Sequence, residues 1–305
     1  MSDSHSISPD PSMIDGVSRA PFARLPDPAS LFARRAARFR MLAAGANLAP
    51  YLEFLAEIAD AQHAIQPGLA EPELPTAQQV ARARQFDMPL LDRERFQPDA
   101  TLLETCRLLF DGLLAVPKPQ AADDALARAR SADAPLLDRM IAAVLTQSIP
   151  ADAVADHVYV AAALEVHFAR LASRMDGDAL VSVAFGVCPV CGGHPVTSLI
   201  AGWYGAEGAR YAACGLCATL WNEVRIKCLV CGSTKGIGYQ EIDGQSGTIK
   251  AETCDECGSY VKVLYQDKDT MLDPVADDVG SLGLDQLLRE SAYRRAATNP
   301  YLIGY

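Results

Sequence analysis

The chain has 305 residues, half of them hydrophobic, and a formal net charge of −11 at pH 7. This length and apolar content exclude a wholly disordered chain and allow two or three domains. The acidic balance disfavours general binding to nucleic-acid phosphates, and no run reaches the roughly 18 apolar residues of a membrane span. We therefore expect a soluble protein that neither binds nucleic acid nor inserts into a membrane.

The first 19 residues are polar and rich in Ser, Asp and Pro. They have neither a basic start nor an apolar stretch, so they do not resemble a secretory signal peptide. We expect residues 1–19 to be a disordered lead and the protein to be cytoplasmic. Because the cytoplasm keeps thiols reduced, paired cysteines there favour bound metal over disulfides.

Residues 20–180 have the pattern of an all-α domain of five to seven helices. In the clearest helix, apolar residues between Val154 and Met175 recur at spacings of three and four, which predicts one buried face. Four arginines of the first helix are expected on its solvated outer face, with contact to an acidic partner as the alternative: Arg34, Arg35, Arg38 and Arg40. The predicted helices cover about 30–45, 48–62, 101–116, 121–130, 135–146 and 151–175.

Eight of the nine cysteines form four Cys-x-x-Cys pairs, and adding 40 to each member of the first quartet gives the second quartet. Such repetition at a fixed offset indicates a duplicated unit. Two residues between cysteines let a tight turn aim both thiolates at one ion, and two turns supply a tetrahedron. We therefore predict metal ligands rather than reactive dithiols or disulfides. The ligands are Cys188, Cys191, Cys214 and Cys217, then Cys228, Cys231, Cys254 and Cys257.

The cysteines divide the second half of the chain into two four-cysteine ribbon units, at 184–226 and 227–268. A short apolar run at 180–185 has β character and leads into the first unit. Duplication favours sequential pairing of the quartets over a cross-braced arrangement. The predicted strands are 196–203, 210–213, 218–225, 238–242, 248–252 and 258–265. Residues 269–305 are expected to form a short helix, starting near residue 277, and an apolar tail that packs on the rest.

The predicted sites are closed tetrahedra, so no ligand position remains for a substrate. No nucleophile, phosphate-binding or dinucleotide motif is present, and we predict no catalytic residue and no organic cofactor. Residues 186–268 contain seven Lys or Arg and eight Asp or Glu, without the basic stripe of a nucleic-acid-binding ribbon. Spacing alone leaves zinc, mononuclear iron and an iron–sulfur cluster open, with zinc the most frequent in such sites.

Other candidate ligands are weaker. His194 lies in the first knuckle loop beside four sulfurs and is expected to be solvated. His157 and His167 lie ten residues apart on one helix, about 15 Å along its axis, too far to share an ion. Cys106 lies in an apolar helical stretch and is expected to be a core residue.

The order of a helical domain, duplicated four-cysteine units and a short helical tail resembles the FdhE family of formate dehydrogenase accessory proteins. The resemblance covers nearly the whole chain, and its most specific parts contain the cysteines. Weaker matches are LF at 31–32 with RA at 35–36, YL at 51–52 with FL at 54–55, and DD at 277–278 with LD at 284–285. The specific parts are VCPVCG at 187–192, RYAACGLC at 210–217, KCLVCG at 227–232 and ETCDECG at 252–258.

The resemblance implies a cytoplasmic, non-enzymatic accessory protein that binds the catalytic subunit of a respiratory formate dehydrogenase before its export. It also implies rubredoxin-like units that bind iron, which places mononuclear iron above zinc. A rubredoxin-like electron carrier is the alternative, and a zinc-ribbon adaptor is disfavoured by the acidic charge. The oligomeric state stays open, a homodimer included.

Overall fold

The computed structural model describes residues 20–244, 246–296 and 298–303, so the predicted disordered lead lies outside the described residues. The expected order is confirmed: a helical N-terminal region precedes a sheet region that carries two four-cysteine clusters. Seven α-helices lie before residue 180 in the described chain. They are α1 Pro28–Ala43, α2 Ala49–Ile65, α3 Ala77–Gln85, α4 Ala100–Gly112, α5 Gln120–Ser131, α6 Ala134–Leu145 and α7 Val154–Ser173.

Short polar side chains mark the helix starts. Asp27, Asp99 and Asp133 each accept a hydrogen bond from a backbone N–H in the first turn of α1, α4 and α6. The helix α3 was not predicted from the sequence. It begins with a capping box, in which Thr76 and Gln79 each accept from the other's backbone N–H.

The helix α7 lies at the centre of the helical region, and almost every side chain from His157 to Ala172 is buried. Helices α1, α2, α4, α5 and α6 all pack against it. A helix surrounded on all sides is apolar around its whole circumference, so the single buried face predicted for this helix understates its burial. The run at 180–185 forms no strand, which corrects the expectation of β structure there.

The two cysteine units share one sheet. Strand β7 of the second unit pairs in parallel with β2 of the first, and the strand order is β1-β4-β3-β2-β7-β6-β5, with β8 also paired to β7. All six predicted strands are present. The strands are β1 Ala23–Arg24, β2 Pro195–Ile200, β3 Arg210–Cys214, β4 Leu220–Glu223, β5 Ile237–Gln240, β6 Ile249–Cys254, β7 Ser259–Tyr265 and β8 Arg294–Arg295.

The segment after β7 packs against both regions. Instead of one helix it forms α8 Ala276–Gly280 and α9 Leu282–Leu288, followed by β8 and a single 3-10 turn at Pro300–Leu302. The tail does pack on the rest of the chain, because Tyr301 is buried in the helical core and its hydroxyl lies 3.1 Å from Glu165 Oε2.

The outer-face prediction for the α1 arginines is wrong at two of the four positions. Arg35 and Arg38 are buried, whereas Arg34 and Arg40 are exposed. Arg35 pairs with Glu165 on α7 and Asp273, and Arg38 pairs with Asp277 on α8. These carboxylates lie more than 100 residues away in sequence, so the arginine pattern of α1 alone could not reveal them. Among the described residues, no helix is both long enough and apolar enough to cross a bilayer.

Candidate metal centres

The first cluster brings together Cys188, Cys191, Cys214 and Cys217. Cys188 and Cys191 belong to the turn before β2, and the other two come from the end of β3 and the turn after it. The sulfur atoms of Cys188 and Cys217 lie 3.6 Å apart, and those of Cys191 and Cys214 lie 3.4 Å apart. All four side chains are buried.

The second cluster repeats this arrangement 40 residues later. The sulfur atoms of Cys228 and Cys257 lie 3.7 Å apart, as do those of Cys231 and Cys254. Its burial differs from that of the first cluster, because Cys231 is exposed and Cys257 is only partly buried. Both quartets therefore have the sequential arrangement, and the cross-braced one is absent from these two clusters.

Both clusters fit a tetrahedral ion. Metal–sulfur bonds of about 2.3 Å at tetrahedral angles place neighbouring sulfurs about 3.8 Å apart. The measured separations of 3.4 to 3.7 Å lie near this value and far above the roughly 2.05 Å of a disulfide bond. Within each quartet every sulfur lies within 4.8 Å of the others. The two clusters could therefore hold two metal ions.

The buried thiols of the first cluster influence one another's ionisation. Burial raises the pKa of the Cys188 and Cys217 thiols well above their usual range. Their neighbours, Cys188 foremost, hold the pKa of Cys214 well below its usual range by hydrogen bonding to its sulfur. Four thiolates in so buried a space would repel one another, and a bound cation would offset that repulsion.

Backbone geometry explains why each pair points inward. Gly192 and Gly232 follow their pairs with φ of 76° and 75°, a conformation that favours glycine. In each turn that glycine's N–H donates to the carbonyl of the first cysteine of the pair, at 3.0 Å. The other two pairs are followed by Gly258 at φ 65° and by Ala218 at φ 56°. At one of the four turns, therefore, an alanine adopts the left-handed conformation.

A hydroxyl group two residues after the last cysteine of each unit contacts its sulfur. Thr219 Oγ1 lies 3.2 Å from Cys217 Sγ. In the second unit Ser259 hydrogen-bonds to Cys257 and, against the opposing effect of burial, lowers its pKa to about 7. Sequence reasoning missed both residues, although Thr219 and Ser259 are separated by the same 40 residues as the cysteines. The repeat itself was the signal that could have found them.

The first cluster is embedded in the helical region by residues 88–93, here called the strap. Within the strap, Leu91 N donates to Val190 O at 2.6 Å, and Arg93 N donates to Cys191 O at 3.3 Å. The Arg93 side chain donates to two carbonyls at the end of α6. The cluster thus belongs to the same apolar core as the helices.

None of the weaker candidate ligands joins either cysteine cluster in the described chain. His194 is exposed, as expected for its loop. His157 and His167 are buried at separate positions along α7, and burial lowers the pKa of His167 to about 4. Cys106 is a core residue, and burial raises the pKa of its thiol to about 12.

Comparison with known families agrees with this architecture. Three family models match the chain: the N-terminal domain of FdhE at residues 20–184, the central domain at 187–225 and the C-terminal domain at 226–302. The chain belongs to the FdhE family. The central domain model covers the first cysteine cluster, and the C-terminal model covers the second cluster with the α8–α9 segment.

Curated relatives extend over nearly the whole chain. An FdhE homologue of Rhizobium meliloti is 50% identical over 301 residues, covering 98% of both chains. One from Proteus mirabilis is 35% identical over 289 residues, covering 94% of this chain and 92% of the relative. The crystal structure of the FdhE protein from Pseudomonas aeruginosa superposes with a TM-score of 0.83 at 29% identity, covering 93% of this chain and 99% of that one.

Proposed function

We propose that this protein is an accessory factor for formate dehydrogenase maturation, which binds the catalytic subunit in the cytoplasm before export. Membership of the FdhE family supports the connection to formate dehydrogenase. The observation that supports a non-enzymatic role is that each cluster has four cysteines. An ion bound by four sulfurs would have no open coordination position for a substrate.

We propose further that the eight cysteines are the ligands of two iron ions. Iron held by four thiolates has a redox couple, which the ion would supply if the role requires one. The chain's own contribution is to hold each sulfur set rigid through glycine turns and N–H donors. Examples are the N–H of Cys217 donating to Cys214 Sγ and that of Val230 donating to Cys228 Sγ, both at 3.4 Å.

The binding proposal is tested by anaerobic capture. Purified protein is immobilised, and the catalytic subunit of a respiratory formate dehydrogenase, produced without its export signal, is passed over it. We expect retention of that subunit and no retention of a mature enzyme that already carries its cofactors. Failure to retain the immature subunit under anaerobic conditions would refute the proposal.

The metal assignment is tested by elemental analysis and visible spectra of anaerobically purified protein. We expect two iron atoms per chain with thiolate charge-transfer bands. The variant Cys188→Ser should reduce the content to one ion, because a closed site loses most of its affinity with one ligand. Cys106→Ala is the matched control and should retain two ions, since Cys106 is a core residue outside both clusters. Two colourless zinc ions would contradict the iron assignment.

A second candidate function is electron transfer, and it rests on the exposure of Cys231 in the second cluster. An exposed sulfur shortens the path from a bound ion to a docked partner. This function predicts a reversible one-electron couple assigned to the second site, measured by voltammetry on iron-loaded protein. A protein whose ions show no couple would exclude it.

A further inference from the structure

A groove lies between the N-terminal half of α1, the edge strand β1 with its neighbour β4, and the loop at 266–274. Its cavity volume is about 300 Å³. Its apolar lining includes Leu31, Leu199 and Leu220, together with the indole of Trp203. A groove of this volume and lining is large enough for two or three side chains of an extended peptide and larger than a site for a few waters.

Two arginines at the groove have no carboxylate partner among the described residues. Arg24 is exposed on β1, and its guanidinium lies 4.8 Å above the ring of Trp203. Arg34 is exposed on α1, and it makes neither a hydrogen bond nor an ion pair with the described part of the chain. The other two arginines in this part of α1, Arg35 and Arg38, are instead buried and form ion pairs.

The acidic side chains of the groove are already occupied. Asp27 accepts from the backbone N–H of Ala29 and the hydroxyl of Ser30, where it caps α1. Asp273 accepts from Arg35 Nε at 3.2 Å and from the backbone of the α8 turn. The lining holds three arginines and two aspartates, so its formal charge is positive, whereas the net charge of the whole protein is −11.

We propose that this groove binds an acidic segment of a partner protein. Apolar side chains of that segment would contact the apolar lining of the groove, and its carboxylates would pair with Arg24 and Arg34. A guanidinium stacked on an indole keeps its N–H edge free, and that edge pairs with both oxygens of a carboxylate. A nucleic acid fits less well, because its phosphates continue beyond the groove along a protein whose net charge is −11.

The groove also adjoins the first metal centre. Cys214 and its neighbours Ala213 and Ala218 form part of the wall, so a bound segment covers one side of the first cluster. The groove therefore places a bound segment beside that cluster. For the identity of the partner this inference rests on the proposed function, whereas the charge and shape of the segment follow from the groove alone.

The test uses the full-length metal-loaded protein and the double variant Arg24→Glu with Arg34→Glu. The control double variant is Arg84→Glu with Arg139→Glu, two exposed arginines on α3 and α6 that also lack ion pairs within the described chain. Two probes are used: the immature catalytic subunit, and a fluorescent peptide of alternating Glu and Leu. Metal content and circular dichroism verify that both variants are folded.

We expect the groove variant to bind each probe at least about tenfold more weakly than wild type, with a reduced dependence on salt. The control variant should bind within about twofold of wild type. Equal binding by the groove and control variants would overturn the proposal. So would binding of a single-stranded oligonucleotide that the groove variant loses and the Glu-Leu peptide does not compete for.

The two proposals fail in different ways. If the wild type retains the acidic peptide in the groove but never the catalytic subunit, the proposed function is wrong and the groove stands. If the wild type retains the catalytic subunit and the groove variant retains it equally, the function stands and the groove is wrong. A wild type that binds neither probe overturns both.

Discussion

Glu165 is the residue on which several parts of the helical region converge. Its Oε2 accepts from Arg35 on α1 at 3.0 Å, from Gln62 on α2 at 3.1 Å and from the Tyr301 hydroxyl at 3.1 Å. Its Oε1 has no partner within the described residues. Burial raises the pKa of this carboxyl to about 7, although Arg35 opposes the change.

This pKa predicts a pH dependence of stability. A carboxyl whose folded pKa exceeds its unfolded value binds more protons in the folded state. Its contribution to stability is complete below about pH 4.5 and is lost as pH rises to about 7. Glu165→Gln removes this titration. We expect the loss of unfolding free energy between pH 5 and pH 8 to shrink by about 1–3 kcal/mol.

Urea denaturation of metal-loaded protein at the two pH values measures this change. Glu53→Gln, on the exposed face of α2, is the control and should retain the wild-type pH dependence. Because both variants are compared with wild type at each pH, titration of the cysteine clusters contributes equally and cancels. An unchanged pH dependence in Glu165→Gln would mean that Glu165 is ionised throughout the range.

At the scale of elements, Gly186 sets the distance between the two cysteine units. It has φ of 66°, and a Cβ there would lie 2.1 Å from the carbonyl oxygen of Leu229, in the first cysteine turn of the second unit. No side chain fits between two backbones at that distance. The backbone of the Cys228–Cys231 turn therefore packs directly on the segment that leads into Cys188.

We expect Gly186→Ala to destabilise the protein by at least about 3 kcal/mol, since backbone strain and a backbone clash add. Gly244→Ala is the matched control. Its φ of 80° gives similar strain, but nothing lies within 4 Å of the added carbon, so about 1 kcal/mol is expected. Chemical denaturation measures both variants. Equal costs would show that the contact with Leu229 is not maintained in solution.

The parallel pairing of β2 with β7 turns two units into one sheet. Six predicted strands were confirmed because their alternation and turn glycines are local signals. The order of those strands was not predictable, since parallel pairing depends on which edges meet after folding. The short α3 was also missed, although the residues of its capping box stand in the sequence.

At the scale of the whole molecule, the two clusters differ in their surroundings. The first is fully buried, held by the strap and part of the main core, whereas the second exposes Cys231. Sites that open with little unfolding lose ligands first. We therefore expect the ion of the second cluster to leave at least about tenfold faster than that of the first when a strong chelator is added.

Iodoacetamide labelling during chelation, followed by mass spectrometry, assigns each phase to its cysteines. Cys231 and Cys257 should be labelled in the fast phase, and the first quartet in the slow phase together with loss of helical circular dichroism. The variant Cys231→Ser should lack the fast phase and retain the slow one. A single phase, or early labelling of Cys188, would contradict the division between an exposed and a buried cluster.

The sequence by itself indicated which eight cysteines group together, their sequential arrangement, the order of helices before sheet and the family. Spacing, periodicity and duplication can all be read along the chain without knowledge of its tertiary contacts. Only the tertiary structure decided which arginines of α1 are buried and which stay free. Arg35 finds Asp273 across 238 residues, and Arg34 finds no partner in the described chain. Such differences in burial and pairing depend on which distant segments cover each side chain, which no local pattern contains.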